Sequence, residues 1–144
     1  MASNRHLGRI VALQSLYEYD FRDDESRDLK EISKRNFDQY EDVIDDQEFV
    51  FELIDLVQNK QAEIDEVIQP AAPEWPIEQI ARIDKAILRM AVAELLHDKS
   101  TPPKVVINEA VELGKSFGSD SSSKFINGVL GTVYREQIDS EEPK

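Results

Sequence analysis

The sequence predicts an all-α fold, and three observations carry that prediction. Apolar residues recur at the three-to-four-residue spacing of a helix face along almost the whole chain. Stretches of strict apolar–polar alternation, the pattern of a half-buried strand, are few. Glycine is scarce, five in 144 residues, and prolines cluster where the periodic stretches stop. A hydrophobic fraction of 40% over this length fills the core of one domain, 1–144.

The first helix is expected from about Asn4 to Phe21, where Leu7, Ile10, Val11, Leu13, Tyr17 and Phe21 form a broad apolar stripe. RDDESRD, residues 22–28, reads as a solvated connection. A weaker amphipathic segment follows, with Leu29, Ile32, Phe37 and Tyr40. The third segment, from about Asp45 to Gln69, is long. Phe49, Val50, Leu53, Ile54, Leu56, Val57, Ile64, Val67 and Ile68 recur in it at helical spacing. PAAPEWP, residues 70–76, stops a helix, because proline lacks the amide donor and restricts the residue before it. It is the clearest internal boundary, dividing sub-bundles of about 1–69 and 77–136 and leaving an acidic tail, 137–144. Trp75, between two prolines, reads as a packed plug at this bend.

Ile77 to His97 is the next expected helix, with a short first piece and a buried face of Ile80, Ile83, Ile87, Leu88, Met90, Ala91 and Leu95. KSTPPK breaks it. Val105 to Phe117 follows, with Gly118 in the position that often ends a helix. Ser119, Asp120 or Ser121 can cap the last helix, about Ser122 to Arg135, whose apolar side is Phe125, Ile126, Val129, Leu130 and Val133.

The absence of cysteine excludes disulfides and thiolate metal sites. His6 and His97 lie far apart without a local ligand spacing, so no metal and no cofactor are expected. No segment has 18 uninterrupted apolar residues and no apolar leader opens the chain, which predicts a cytoplasmic protein with no membrane partner. No Ser-His-Asp set, carboxylate pair or phosphate-cradling glycine loop stands out, so no enzyme is expected. The net charge of −13 is uneven. Residues 1–17 carry +2, residues 18–66 carry −12, and residues 100–135 carry +1. A polyanion can approach the two less acidic regions and is repelled elsewhere.

Two stretches admit a functional reading. Arg5, His6 and Arg9 open the first helix, and Arg5 and Arg9 share a face. Cations there oppose the helix dipole at a cost of roughly 0.3–1 kcal/mol each. They are either a solvated, frayed terminus or a phosphate contact. Lys115, Phe117, Lys124 and Phe125 bracket the turn before the last helix. The phenylalanines are either core residues or platforms for an unpaired base beside lysines that meet its backbone. Tyr17, Glu78 and Asp84 carry no chemistry by spacing and read as surface positions. The acidic run from Glu18 to Glu66 is either a solvated face or a docking face for a basic protein.

Three blocks in this order, RHLGRIVALQSLYEYD, IARIDKAILRMAVAEL and VVINEAVELGKSFGSDSSSKFINGVL, resemble the NusB family of bacterial transcription antitermination factors. The third is the most specific. The resemblance implies two small packed antiparallel helical bundles of about seven helices, and no catalysis. It implies binding of boxA-type single-stranded RNA of ribosomal RNA operons. The binding is joint with NusE, a small-subunit ribosomal protein, in an antitermination complex with RNA polymerase. Some members also form homodimers through the surface used for NusE. The weaker expectation is a helical protein–protein adaptor with little RNA binding. By matching position, RNA contacts fall on Arg5, His6, Arg9, Lys115, Ser121, Ser122, Lys124 and Phe125. NusE contacts fall near Tyr17, Glu78 and Asp84. The start holds two arginines where the family often has a denser basic cluster, and Ser121 stands where it often has an acid.

Overall fold

The computed structural model describes residues 2–22 and 24–138, with side chains from Arg5 onward. Seven α-helices follow one another: α1 (Ala2–Arg22), α2 (Leu29–Asp38), α3 (Gln47–Asn59), α4 (Gln61–Ala71), α5 (Arg82–His97), α6 (Pro103–Phe117) and α7 (Ser122–Val133). A 3-10 turn, Ile77–Gln79, precedes α5, and a π-helical turn, Tyr134–Ile138, extends α7. The described residues contain no strand. None of their helices is long and apolar enough to cross a membrane.

The expected long third helix is two helices. It breaks at Lys60, whose φ of −112° and ψ of 17° leave the helical region. The cause is a gap in the apolar period. Between the buried Val57 and Ile64 lie Gln58, Asn59, Lys60, Gln61, Ala62 and Glu63, all exposed. No apolar anchor stands at the three- or four-residue step to hold that turn against the core. Pro70 falls in the last turn of α4, and the helix ends one residue later. At α6 a proline is useful: Pro103 occupies the first helical position, where its missing amide costs nothing.

α5 is the centre of the molecule. Its residues Ala86–Leu88 and Met90–Leu95 are all buried. It packs against α1, α3, α4, α6 and α7. α1 also lies on α2 and α3, and α6 lies along α7. α4 packs with α5 and α7, although it precedes the PAAPEWP bend. The packing boundary therefore follows the break at Lys60 more closely than the prolines. One continuous apolar core runs through both groups of helices.

Candidate nucleic-acid interface

Arg5 and Arg9 do share a face of α1, but that face turns inward. Arg9 is 3% exposed. Its Nε and Nη2 donate to the two carboxylate oxygens of Glu94 on α5, at 2.8 and 2.7 Å. Its Nη1 donates to Glu109 of α6 at 3.2 Å. Burial alone would lower the guanidinium's pKa. The hydrogen bond and charge of Glu94, then the charges of Glu109 and Asp98, outweigh it and raise the pKa above its ordinary value. The expected exposed phosphate contact at Arg9 is thus an interior ion pair. The signal lay in MAVAELL, where Glu94 interrupts an apolar run and demands a buried cation.

Arg5 reaches the α5–α6 turn, donating to Ser100 at 2.9 Å and Thr101 at 2.7 Å, and to Asp46 at 3.2 Å. Asp46 also caps α3, accepting from the Phe49 amide at 3.1 Å. Both guanidinium groups stand over the Phe49 ring, at 4.4 and 5.0 Å from its centroid. His6 Nδ1 lies 3.1 Å from Glu109. Arg5 and His6 keep part of their side chains in solvent. Asp98 near them is partly buried, which by itself would raise its pKa. Hydrogen bonds from Ser100 and the charges of Arg5 and Arg9 nonetheless hold its carboxyl below the usual range.

The turn between α6 and α7 is built by close approach. Gly118 has φ −96° and ψ −165°, extended backbone and not the left-handed form expected of a helix-ending glycine. Its lack of a side chain matters for space. A Cβ there would sit 2.3 Å from Ser122 Oγ and 2.8 Å from the Gly114 carbonyl oxygen. Gly114 is less constrained: its Cβ would lie 2.8 Å from Ile126 Cδ1, the tip of a side chain that can shift. No side chain caps α7, contrary to expectation. Instead the buried Ser122 accepts from the Ser119 amide at 2.8 Å and donates to Asp84 Oδ1 at 2.7 Å. Asp84, expected at the surface, is 8% exposed and ties the first turn of α5 to this turn.

Ser121 and Lys124 are exposed and Phe125 is half-buried against the core. Lys115 is exposed on the last turn of α6, 3.6 Å from Glu112. Ser122 is interior and supports the turn. Trp75, expected to be packed, is 50% exposed. It lines, with Phe125, two clefts. One, of about 250 Å³, adds Lys124, Glu74 and Gly128. The other, of about 410 Å³, adds Ser119, Ser121 and Asp84.

The two basic regions do not converge in one pocket. Arg5 meets the turn after α5, whereas the Gly118 turn meets Asp84 at the start of α5. The 16 residues of α5 lie between, roughly 24 Å at 1.5 Å per residue.

Tyr17 stacks on Phe21 at 6.0 Å, and Arg82 stands over the Phe21 ring at 5.4 Å with Asp20 3.6 Å away. Phe21 is 59% exposed. Phe21, expected in the apolar stripe of the first helix, lies outside the core, and Arg82 has no signal in sequence because its pairing with Phe21 joins α1 to α5. Glu78 is exposed in the 3-10 turn.

The NusB family model matches residues 6–135. The transcription antitermination protein NusB of Chloroflexus aggregans is 43% identical over 144 residues, covering 99% of this chain and 94% of that one. A solved NusB of T. maritima superposes with a TM-score of 0.84 at 29% identity, over 95% of this chain and 94% of that one. A chain from the crystal structure of antitermination factors NusB and NusE in complex with dsRNA gives a TM-score of 0.81 at 28% identity. It covers 94% of this chain and 98% of that one.

Proposed function

The chain belongs to the NusB family, and from that premise we propose that it is a non-catalytic, cytoplasmic RNA-binding antitermination factor. Its ligand is boxA-type single-stranded RNA of ribosomal RNA operons, held jointly with NusE within the RNA polymerase antitermination complex. The α6–α7 turn carries this reading. A backbone fixed by Gly118 and the Ser122–Asp84 bond presents Lys124, Ser121 and Phe125 together at the mouths of two clefts. Lysine meets the phosphate, the aromatic face takes a base, and the serine hydroxyl meets base edges or sugar.

Arg5 and His6 supply the second contact region, at the far end of α5, while Arg9 works beneath them as an anchor. A strand of several nucleotides running past α5 reaches both regions. NusE docks on the exposed aromatic surface around Tyr17, Phe21 and Arg82 with Glu78, and a homodimer would compete for it. Asp84 belongs to this surface only indirectly, through the turn it holds.

Fluorescence anisotropy with a boxA-type RNA, with and without NusE, tests the proposal. Lys124→Glu should weaken binding uniformly across RNA sequences. It should also flatten the log–log salt slope by about 0.7, the loss of one phosphate contact on a single strand. Equal affinity of wild type and Lys124→Glu would remove the turn from the site. NusE capture with no RNA binding at all would favour the protein-only adaptor, which the −13 charge and the interior Arg9 support.

A further inference from the structure

We propose that Trp75 is the second aromatic wall of the RNA site and stacks against an unpaired nucleobase in the clefts it shares with Phe125. The inference rests on the RNA-binding reading above. Three observations carry it. The first is exposure. An indole is among the largest apolar surfaces a chain can bury, yet half of this one faces solvent.

The second is rigidity. Prolines 73 and 76 restrict the backbone around Trp75. Its amide donates to Ala72 O at 3.0 Å, and its carbonyl accepts from Gln69 Nε2 at 2.8 Å. The same Gln69 side chain accepts from the Ile77 amide at 2.9 Å, bracketing the bend from both sides. The backbone that carries the indole is therefore held before any ligand arrives, and less ordering entropy is lost when a base stacks on the ring.

The third is Gly128, beside Lys124 and Phe125 in the smaller cleft. Glycine inside a helix costs about 1 kcal/mol relative to alanine. Here no packing explains it, because a Cβ would meet no heavy atom within 4 Å. What the missing side chain does provide is open space on the floor of that cleft. Lys124 supplies a cation for the adjoining phosphate, and Ser119 and Ser121 supply hydroxyls in the other cleft. An aromatic wall, an open floor, a cation and hydroxyls fit a nucleotide of a single strand better than an apolar peptide side chain.

Trp75 is the chain's single tryptophan, so its emission reports this site alone. Titration with a boxA-type RNA should quench that emission with the same midpoint as the anisotropy curve. Trp75→Ala should weaken binding about tenfold, the loss of one stacked base, and Trp75→Phe should restore most of it. Gly128→Leu, which fills the floor, should weaken binding while the melting temperature holds or rises. Unchanged emission at RNA saturation, with wild-type affinity in Trp75→Ala and Gly128→Leu, would overturn the inference and leave RNA binding at Lys124 standing. Full quenching by NusE alone, with no further change when RNA is added, would assign the clefts to a protein partner and also overturn it. Absence of any RNA binding by the wild type, with or without NusE, would remove the parent reading and this one together.

Discussion

Arg9 shows how one guanidinium can be read in two ways from the same letters. At a helix start, four residues after Arg5, it resembles a phosphate contact. Its counter-charges lie 85 and 100 residues further on, and only the fold brings them within hydrogen-bonding distance. Removing the arginine leaves Glu94 buried and unpaired. Arg9→Met should therefore cost about 3–5 kcal/mol in urea denaturation. Replacing both partners, Arg9→Met with Glu94→Leu, should recover most of that loss, because a buried pair exchanged for apolar groups of similar size is often neutral. Recovery no better than the single variant would show that Glu109 and His6 depend on Arg9 more than Glu94 does. Asp84 was misplaced for the same kind of reason, since nothing near it in sequence indicates that Ser122 reaches it.

At the scale of elements the pattern was far more legible. Helical spacing located α1, α2, α5, α6 and α7 to within a few residues, because each keeps an unbroken apolar stripe. Only Lys60 escaped, where the stripe lapses for one turn and a single expected helix becomes two. The α6–α7 turn was visible as a glycine and a polar patch, but its internal geometry was not. Gly118 serves close approach, which spacing cannot reveal. Gly118→Ala should displace Ser122 from Asp84 and cost about 1–3 kcal/mol, the usual penalty of overpacking. The Ser119 amide resonance and the denaturation midpoint would both report it. RNA affinity should fall as well, since Lys124 and Phe125 follow directly in α7. An unchanged Ser119 resonance would mean that the turn absorbs the extra methyl.

For the molecule as a whole, charge decides how RNA is met. Arg5, His6 and Arg9 are each engaged by a carboxylate, so the α1 end offers less free positive charge than its composition implies. The acids of α2 and α3, among them Asp38, Glu48, Glu52 and Asp55, are exposed and give these helices a negative surface. Binding of RNA to this chain alone should therefore have a shallow salt dependence. A log–log slope near −0.7 to −2 corresponds to about one to three phosphate contacts on a single strand. Addition of NusE, the proposed partner, should steepen it if NusE brings phosphate contacts of its own. A steep slope without NusE would point to cationic contacts beyond Lys124, Arg5 and His6. Net charge alone would have argued against RNA, and only its distribution along the chain kept that reading open.

The ion pairs beneath α1 also fix its alignment. A slide of one turn along its own axis, 5.4 Å, would carry Arg9 away from both Glu94 and Glu109 and strand the Glu94 carboxylate in hydrocarbon. Apolar stripes tolerate such a slip, since one leucine replaces another; charged partners do not. The first helix is thereby indexed against the fifth and sixth, and the chain's opening residues can seat correctly only once its distant middle has folded beside them.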